Sequence, residues 1–384
     1  MDKKPPLSQR LRRITSSGQF LPEIDGFRFL AISAVVWAHI VYCFTRNAAR
    51  GVQLDPALEQ VKVVMERGMF GVEFFFVISG FILALPFVRH FAHGGPPVAI
   101  GRYYLRRLTR LEPPYILALI GFYAASFVLG ESDMSRAEYL PSFLARLIYS
   151  HCLIFGKLPV LNGVTWTLEV EVQFYVLVPL FVGVFRLPAL LRRGLLLAIV
   201  VLWPWIPWSS LTAQYSLPGF VHYFAAGFLL ADLYLAMIVP RPQALLRNDF
   251  LALAVFIPIW AWPLPEFERP KLLALLIVTF YFLVLRSVLF RRFFANPWIT
   301  AIGGMCYSIY LLHYPLLVLM DRILWKLAPT LSFPTGLAAL ASIGIPAVLL
   351  IAGTFYLLIE RPCMDSRWPG KLWSYVTGRG QPAS

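Results

Sequence analysis

The sequence predicts an all-α integral membrane protein of about ten transmembrane helices, with both termini in the cytoplasm. Three observations lead there. Of 384 residues 59% are hydrophobic and only 14% charged, and the mean hydropathy is +0.68, well outside soluble usage. Ten apolar segments can be read, at 27–44, 69–88, 113–130, 168–186, 194–208, 218–239, 250–265, 271–290, 298–320 and 337–359. With both ends placed inside, inward-facing connections and tails carry 22 Lys and Arg against 11 in the opposite loops, as the positive-inside rule expects.

The segments divide the chain into an N-terminal cytoplasmic tail (1–22), a transmembrane domain (23–362) and a C-terminal cytoplasmic tail (363–384). The tail at 1–20 is polar and basic and lacks the apolar stretch of a signal peptide. The fifth and seventh segments are short and carry Pro204, Pro207 and Pro263, which suits tilted, kinked or re-entrant helices. Between the third and fourth, the connection 131–167 holds a semi-apolar piece, Leu140 to Phe155, broken by Arg146 and His151. It is too short to span and too apolar for a free loop, so it reads as an interfacial or re-entrant lid, or an amphipathic helix lying on the bilayer. The net charge of +14 falls mostly in inner loops beside anionic lipid and does not indicate nucleic-acid binding. Cysteines at 43, 152, 306 and 363 have no paired spacing, so neither a disulfide framework nor a metal site is expected.

Ionisable side chains inside these spans are the functional signal, because a charge in a membrane helix normally faces a protein interior or a water cavity. The first span begins Asp25-Gly-Phe-Arg28 and reaches His39. Eleven residues at about 100° each bring Arg28 and His39 back to one stripe, about 16 Å apart along the axis. The second span carries Glu73 and Ser79 among Gly68, Gly71 and Gly80; the glycines suit close helix packing. Arg102, Arg106, Arg107 and Arg110 precede Glu112-Pro113-Pro114-Tyr115. Four guanidinium groups in nine residues suit phosphate or pyrophosphate, or lipid head groups. The fourth span opens Trp166-Thr167-Leu168-Glu169-Val-Glu171-Val-Gln173-Phe174-Tyr175, and its alternating acids must point to different helix faces. The ninth holds Tyr307-Ser308-Ile-Tyr310-Leu-Leu-His313-Tyr-Pro315, and the tenth ends Glu360-Arg361-Pro362, an inner-boundary pair that suits mutual neutralisation.

In this order these motifs resemble the membrane acyltransferase type 3 family: Asp-Gly-x-Arg-x-Leu-Ala…His, Gly-Val-x-x-Phe-Phe-x-Ile-Ser-Gly-Phe, Arg-Leu-x-Arg-Leu-x-Pro-x-Tyr, Trp-Ser-Leu-x-x-Glu-x-x-Phe-Tyr, Tyr-x-x-Tyr-Leu-x-His-x-Pro and Glu-Arg-Pro. The match runs from about residue 22 to 362. Each motif is weak alone; six in sequence are specific. Thr167 departs from the usual Ser but keeps a hydroxyl, and Glu169 is an added acid.

The resemblance implies transfer of an acyl group, usually acetyl from acetyl-CoA, to a hydroxyl of a carbohydrate, glycolipid or secondary metabolite, in a multi-pass protein of the bacterial cytoplasmic (inner) membrane. Such transfer needs a base for the hydroxyl, oxyanion stabilisation and a hold on the donor's phosphates. His39 is the expected base, oriented by Glu171 with Glu73 as substitute, and Arg28 tethered by Asp25 faces the donor. Arg106, Arg107, Arg110 and Tyr115 are expected to hold acyl-CoA; Trp166, Tyr175, Ser79 and His313 to line the acceptor path. Acyl-CoA, the acceptor and membrane lipids are the expected partners; a second copy or a polysaccharide-assembly protein is left open. The chain stops 22 residues after Pro362, so it is expected to work alone or with a separate partner. The rival reading is a transporter or flippase of a glycolipid or polysaccharide precursor, which buried charges also suit.

Overall fold

The computed structural model describes residues 11–14, 20–48, 54–129, 135–208, 210–261, 271–365 and 368. Among them the regular structure is helical throughout, with no strand. The helices are α1 (Pro22–Ala48), α2 (Pro56–Glu66), α3 (Gly71–His93), α4 (Ile100–Leu129), α5 (Arg136–Leu147), α6 (His151–Phe155), α7 (Trp166–Phe181), α8 (Ala189–Leu202) and α9 (Leu217–Leu233). They continue with α10 (Arg247–Ala261), α11 (Leu273–Val284), α12 (Leu289–Phe294), α13 (Pro297–Gly304), α14 (Cys306–Leu327) and α15 (Phe333–Phe355).

Each of the ten apolar segments carries a helix, but among the described residues five helical stretches are long and apolar enough to cross a membrane: 22–46, 56–93, 163–186, 211–238 and 333–363. A sixth arises if α13 and α14, which meet at 68°, are taken as one broken span. The difference from ten is largely one of length. Helices α8, α10 and α11 have 14, 15 and 12 residues, about 18–22 Å at 1.5 Å per residue, short of a hydrocarbon core of about 30 Å. The α10 segment runs on into 262–270, outside the described residues, as do most of the two expected tails. The lid resolves into two helices, amphipathic α5 and short α6.

Helix ends follow local chemistry. Asp55 caps α2 by accepting the Leu58 N–H at 2.8 Å, with Pro56 in the first turn. Gly94 ends α3 in the left-handed region at φ 66°.

Helix α1 is the central element, packed against α3, α13, α14 and α15. Two glycines allow that closeness. A Cβ on Gly303 would lie 1.7 Å from the Asp25 carbonyl oxygen, and one on Gly71 would lie 2.3 Å from the Ala31 carbonyl oxygen, so both backbones touch α1 directly. One apolar core gathers around α3, α7, α9 and α11, and a second around α1, α4, α14 and α15.

Candidate active site

Between α1, α3, α4, α7 and α14 lies a cavity of about 800 Å³, counted with the open space at its mouth. Arg28 enters it from α1 and Ser79 from α3. Asp25, fully buried, holds Arg28 through a 2.6 Å ion pair; removing one partner of such a pair costs about 3–5 kcal/mol. Arg13, from the segment before α1, reaches the same carboxylate at 3.5 Å. Burial and then Arg28 pull the Arg13 guanidinium down to about 9, which leaves it charged at pH 7.

Arg107 and Arg110 face the cavity from α4, three residues apart on one helix face. Arg106 is exposed and does not join them, being turned about 100° from Arg107. Arg107 lies 5.3 Å over the Tyr175 ring. The buried Nε of Arg110 has no hydrogen-bond partner. Three guanidinium groups against one lining carboxylate, Glu171, make this end of the cavity a seat for a multiply charged anion.

Glu171 accepts hydrogen bonds from the Ser79 hydroxyl at 2.5 Å and from the Tyr175 hydroxyl. The Ser79 bond joins α3 to α7, and with the Tyr175 bond inside α7 it fixes the carboxylate in the cavity wall. Glu171 therefore does not orient His39, contrary to the sequence expectation. Glu169, two residues earlier, points away and accepts the Cys152 N–H at 2.9 Å; the alternation of acids along α7 thus separates their tasks.

His39 and His313 meet in the second core, where α1 packs against α14. His313 Nδ1 lies 2.9 Å from the Tyr310 carbonyl and 3.1 Å from that of Ile309. Carbonyls only accept, so in the neutral ring this nitrogen carries the proton and Nε2 is bare. That Nε2 lies 3.3 Å from His39 Nδ1, which is itself 2.8 Å from the Val35 carbonyl. His39 Nδ1 must then be the protonated nitrogen, shared between two acceptors, and His39 Nε2 is left with a free lone pair. Neither histidine lines the cavity. Tyr310 stands between: it lines the cavity, its ring centroid lies 5.8 Å from that of His313, and its hydroxyl donates to the Val164 carbonyl and accepts from Thr167.

Other expected site residues lie elsewhere. Glu73 is buried in α3 without lining the cavity. Tyr115 sits under the lid, donating to the Arg146 carbonyl at 3.1 Å and stacking on Tyr149; its distance along α4 from Arg110 carries it out of the cavity. Trp166 packs on Tyr215 and Phe220. Glu360 takes the Ser308 N–H at 3.0 Å and its hydroxyl at 2.5 Å instead of pairing with Arg361. Sequence reasoning missed Tyr307, Tyr310 and Cys306 as cavity residues; the first two stood inside the quoted motif, where their tyrosines at i, i+3 were a usable signal. Arg13 gave no local signal at all.

The chain matches the acyltransferase domain, type 3, over residues 21–357. It belongs to the acyltransferase 3 family. Peptidoglycan O-acetyltransferase OatA of Listeria monocytogenes serovar 1/2a is 24% identical over 90% of this chain and 56% of its own length. The candidate membrane-bound transacylase BcsY of Komagataeibacter xylinus is 24% identical over 94% of this chain and 88% of its own. A candidate O-acetyltransferase of Staphylococcus aureus strain COL, SACOL0978, is 22% identical over 77% of this chain and 50% of its own. The chain thus spans about half the length of two of these three relatives. No solved structure matches it. Family membership and helices long and apolar enough to cross a membrane are together the features of a multi-pass membrane member of this family.

Proposed function

We propose that the protein is an O-acyltransferase of the bacterial cytoplasmic membrane. It moves an acyl group, acetyl in the first instance, from cytoplasmic acyl-CoA to a hydroxyl of an extracytoplasmic carbohydrate or glycoconjugate. The observation that carries the reading is the hydrogen-bond order at the histidine pair, which leaves His39 Nε2 as an unprotonated base one tyrosine away from a cation-lined cavity.

In this scheme Arg107 and Arg110 hold the donor's phosphates at the α4 end, and the excess of Lys and Arg in the loops on that side supports reading it as the cytoplasmic face. Arg28, kept in position by Asp25, faces the arm that carries the thioester. His39 Nε2 takes the proton of the acceptor hydroxyl as its oxygen bonds to the thioester carbon. The tetrahedral intermediate collapses by breaking the carbon–sulfur bond, and His39 returns the proton to the departing thiolate. His313 holds the His39 tautomer throughout. The side chain of Tyr310 must yield for donor and acceptor to meet. The similarity to OatA, an O-acetyltransferase, and to the candidate O-acetyltransferase of Staphylococcus aureus supports acetyl as the group and a hydroxyl as its target.

Mass spectrometry of surface glycans and lipids from a deletion strain tests this. The expected result is a glycan of unchanged length that lacks acetyl groups, restored by the wild-type gene and not by the His39→Ala gene. Loss of the glycan from the surface with its acetylation intact inside would instead identify a transporter.

A further inference from the structure

Away from the cavity, the connection between α4 and α7 brings three metal-ligating side chains together. His151 and Cys152 open α6, and Glu169 comes across from α7. All three are almost completely buried, at 3%, 1% and 2% exposure. One ligand atom from each lies within 4.8 Å of the others. Ligand atoms around a tetrahedral zinc stand roughly 3.3–3.8 Å apart, given bonds of about 2.0–2.3 Å, so side-chain adjustments of about an ångström close the set.

Two further observations point to a ligand. His151 Nδ1 is buried without a hydrogen-bond partner, a cost that a native interior seldom carries without reason. The ring's polar backbone contact is with Lys157, which leaves Nδ1 bare, in the manner of a ligating histidine whose other nitrogen is engaged by a carbonyl. Second, His151 also forms part of the wall of a separate cavity of about 640 Å³ that includes Glu138, Ser142 and Lys157, giving an ion a way in and an open fourth position.

Arg146 spends its terminal nitrogens on the Leu161 carbonyl at 2.5 Å and Thr165 Oγ1 at 2.7 Å. Glu169 forms no ion pair with it, and Glu169 Oε2 accepts from the Cys152 N–H.

We propose that His151, Cys152 and Glu169 bind one divalent metal ion of borderline softness, zinc by its ligand chemistry, which pins the lid helix α6 to the catalytic helix α7. Thiolate, imidazole and carboxylate together favour zinc over magnesium or calcium. Two anionic ligands balance the ion's charge. On binding, the Cys152 sulfur–hydrogen bond breaks, the proton goes to solvent and a sulfur–metal bond forms.

The test uses full-length protein in nanodiscs, stripped with a chelator and titrated with Co²⁺. One equivalent should produce a thiolate-to-cobalt charge-transfer band that Zn²⁺ abolishes, and elemental analysis of unstripped protein should give about one zinc per chain. Cys152→Ser should lose the band. His151→Gln and Glu169→Gln, which keep side-chain size, should weaken Co²⁺ at least tenfold. Should Cys152→Ser not fold, the wild-type band and these two variants decide. Monodisperse wild-type protein that takes up no cobalt, or a band that survives in Cys152→Ser, overturns the proposal.

Discussion

His313 Nε2 lies 3.3 Å from His39 Nδ1, and because His313 Nδ1 is held by two carbonyls, the contact sets which nitrogen of His39 is free. His39→Ala should reduce acyl transfer by about 10²–10⁴ with near-normal membrane insertion. His313→Ala should lower kcat about tenfold or more, and His313→Gln should recover part of it, because a glutamine oxygen can also accept from Nδ1. Equal activity in His313→Ala and wild type would remove His313 from the mechanism.

Glu171 receives two hydroxyl donors, from Ser79 and Tyr175. Tyr175→Phe leaves it one. As the wall of the cavity proposed for the donor, Glu171 held by one bond should sit less firmly, so the apparent KM for acyl-CoA should rise a few-fold, with little change in membrane abundance. Steady-state kinetics on purified protein checks this, with Ser79→Ala expected to give a similar rise and an unchanged KM in both variants removing Glu171 from the donor site.

The arginines of α4 divide by position. Arg107→Ala with Arg110→Ala should raise the apparent KM for acyl-CoA at least tenfold, since both face the cavity. Arg106→Ala, exposed on the same helix, should change it less than twofold. Unaltered donor binding in the double variant would make the cluster a lipid anchor.

Gly303→Ala tests the packing of the broken helix on α1. Its Cβ would lie 1.7 Å from the Asp25 carbonyl oxygen, so backbone must move. We expect a loss of at least about 1–3 kcal/mol, seen as a lower unfolding temperature in detergent and reduced yield, with activity impaired through the displaced Asp25–Arg28 pair.

Sidedness is checked with single cysteines at Ala99 and Ala137, both exposed, in a background lacking the four native cysteines. A membrane-impermeant thiol reagent should label the Ala137 site in intact cells and the Ala99 site only after permeabilisation. Labelling of both from outside would end the scheme of an inner donor and an outer acceptor.

What the sequence alone determined is the membrane class, the helical segments, the family motifs and the pairing of Asp25 with Arg28. These follow from composition, 3.6-residue periodicity and neighbours one turn apart, all local properties of the chain. The separation of Glu169 from Glu171 was legible for the same reason. Span number was less so, because apolar runs such as 271–290 are divided by turns into shorter helices. Only the tertiary structure decided that His39 is partnered by His313, 274 positions away, and that Glu171 belongs to Ser79 and Tyr175 instead. It alone placed Arg13 on Asp25 and joined His151 and Cys152 to Glu169. Each of those contacts joins side chains from different elements, and their meeting is set by how closely glycines such as Gly71 and Gly303 let the helices approach α1 and by which way each helix is rotated when it arrives.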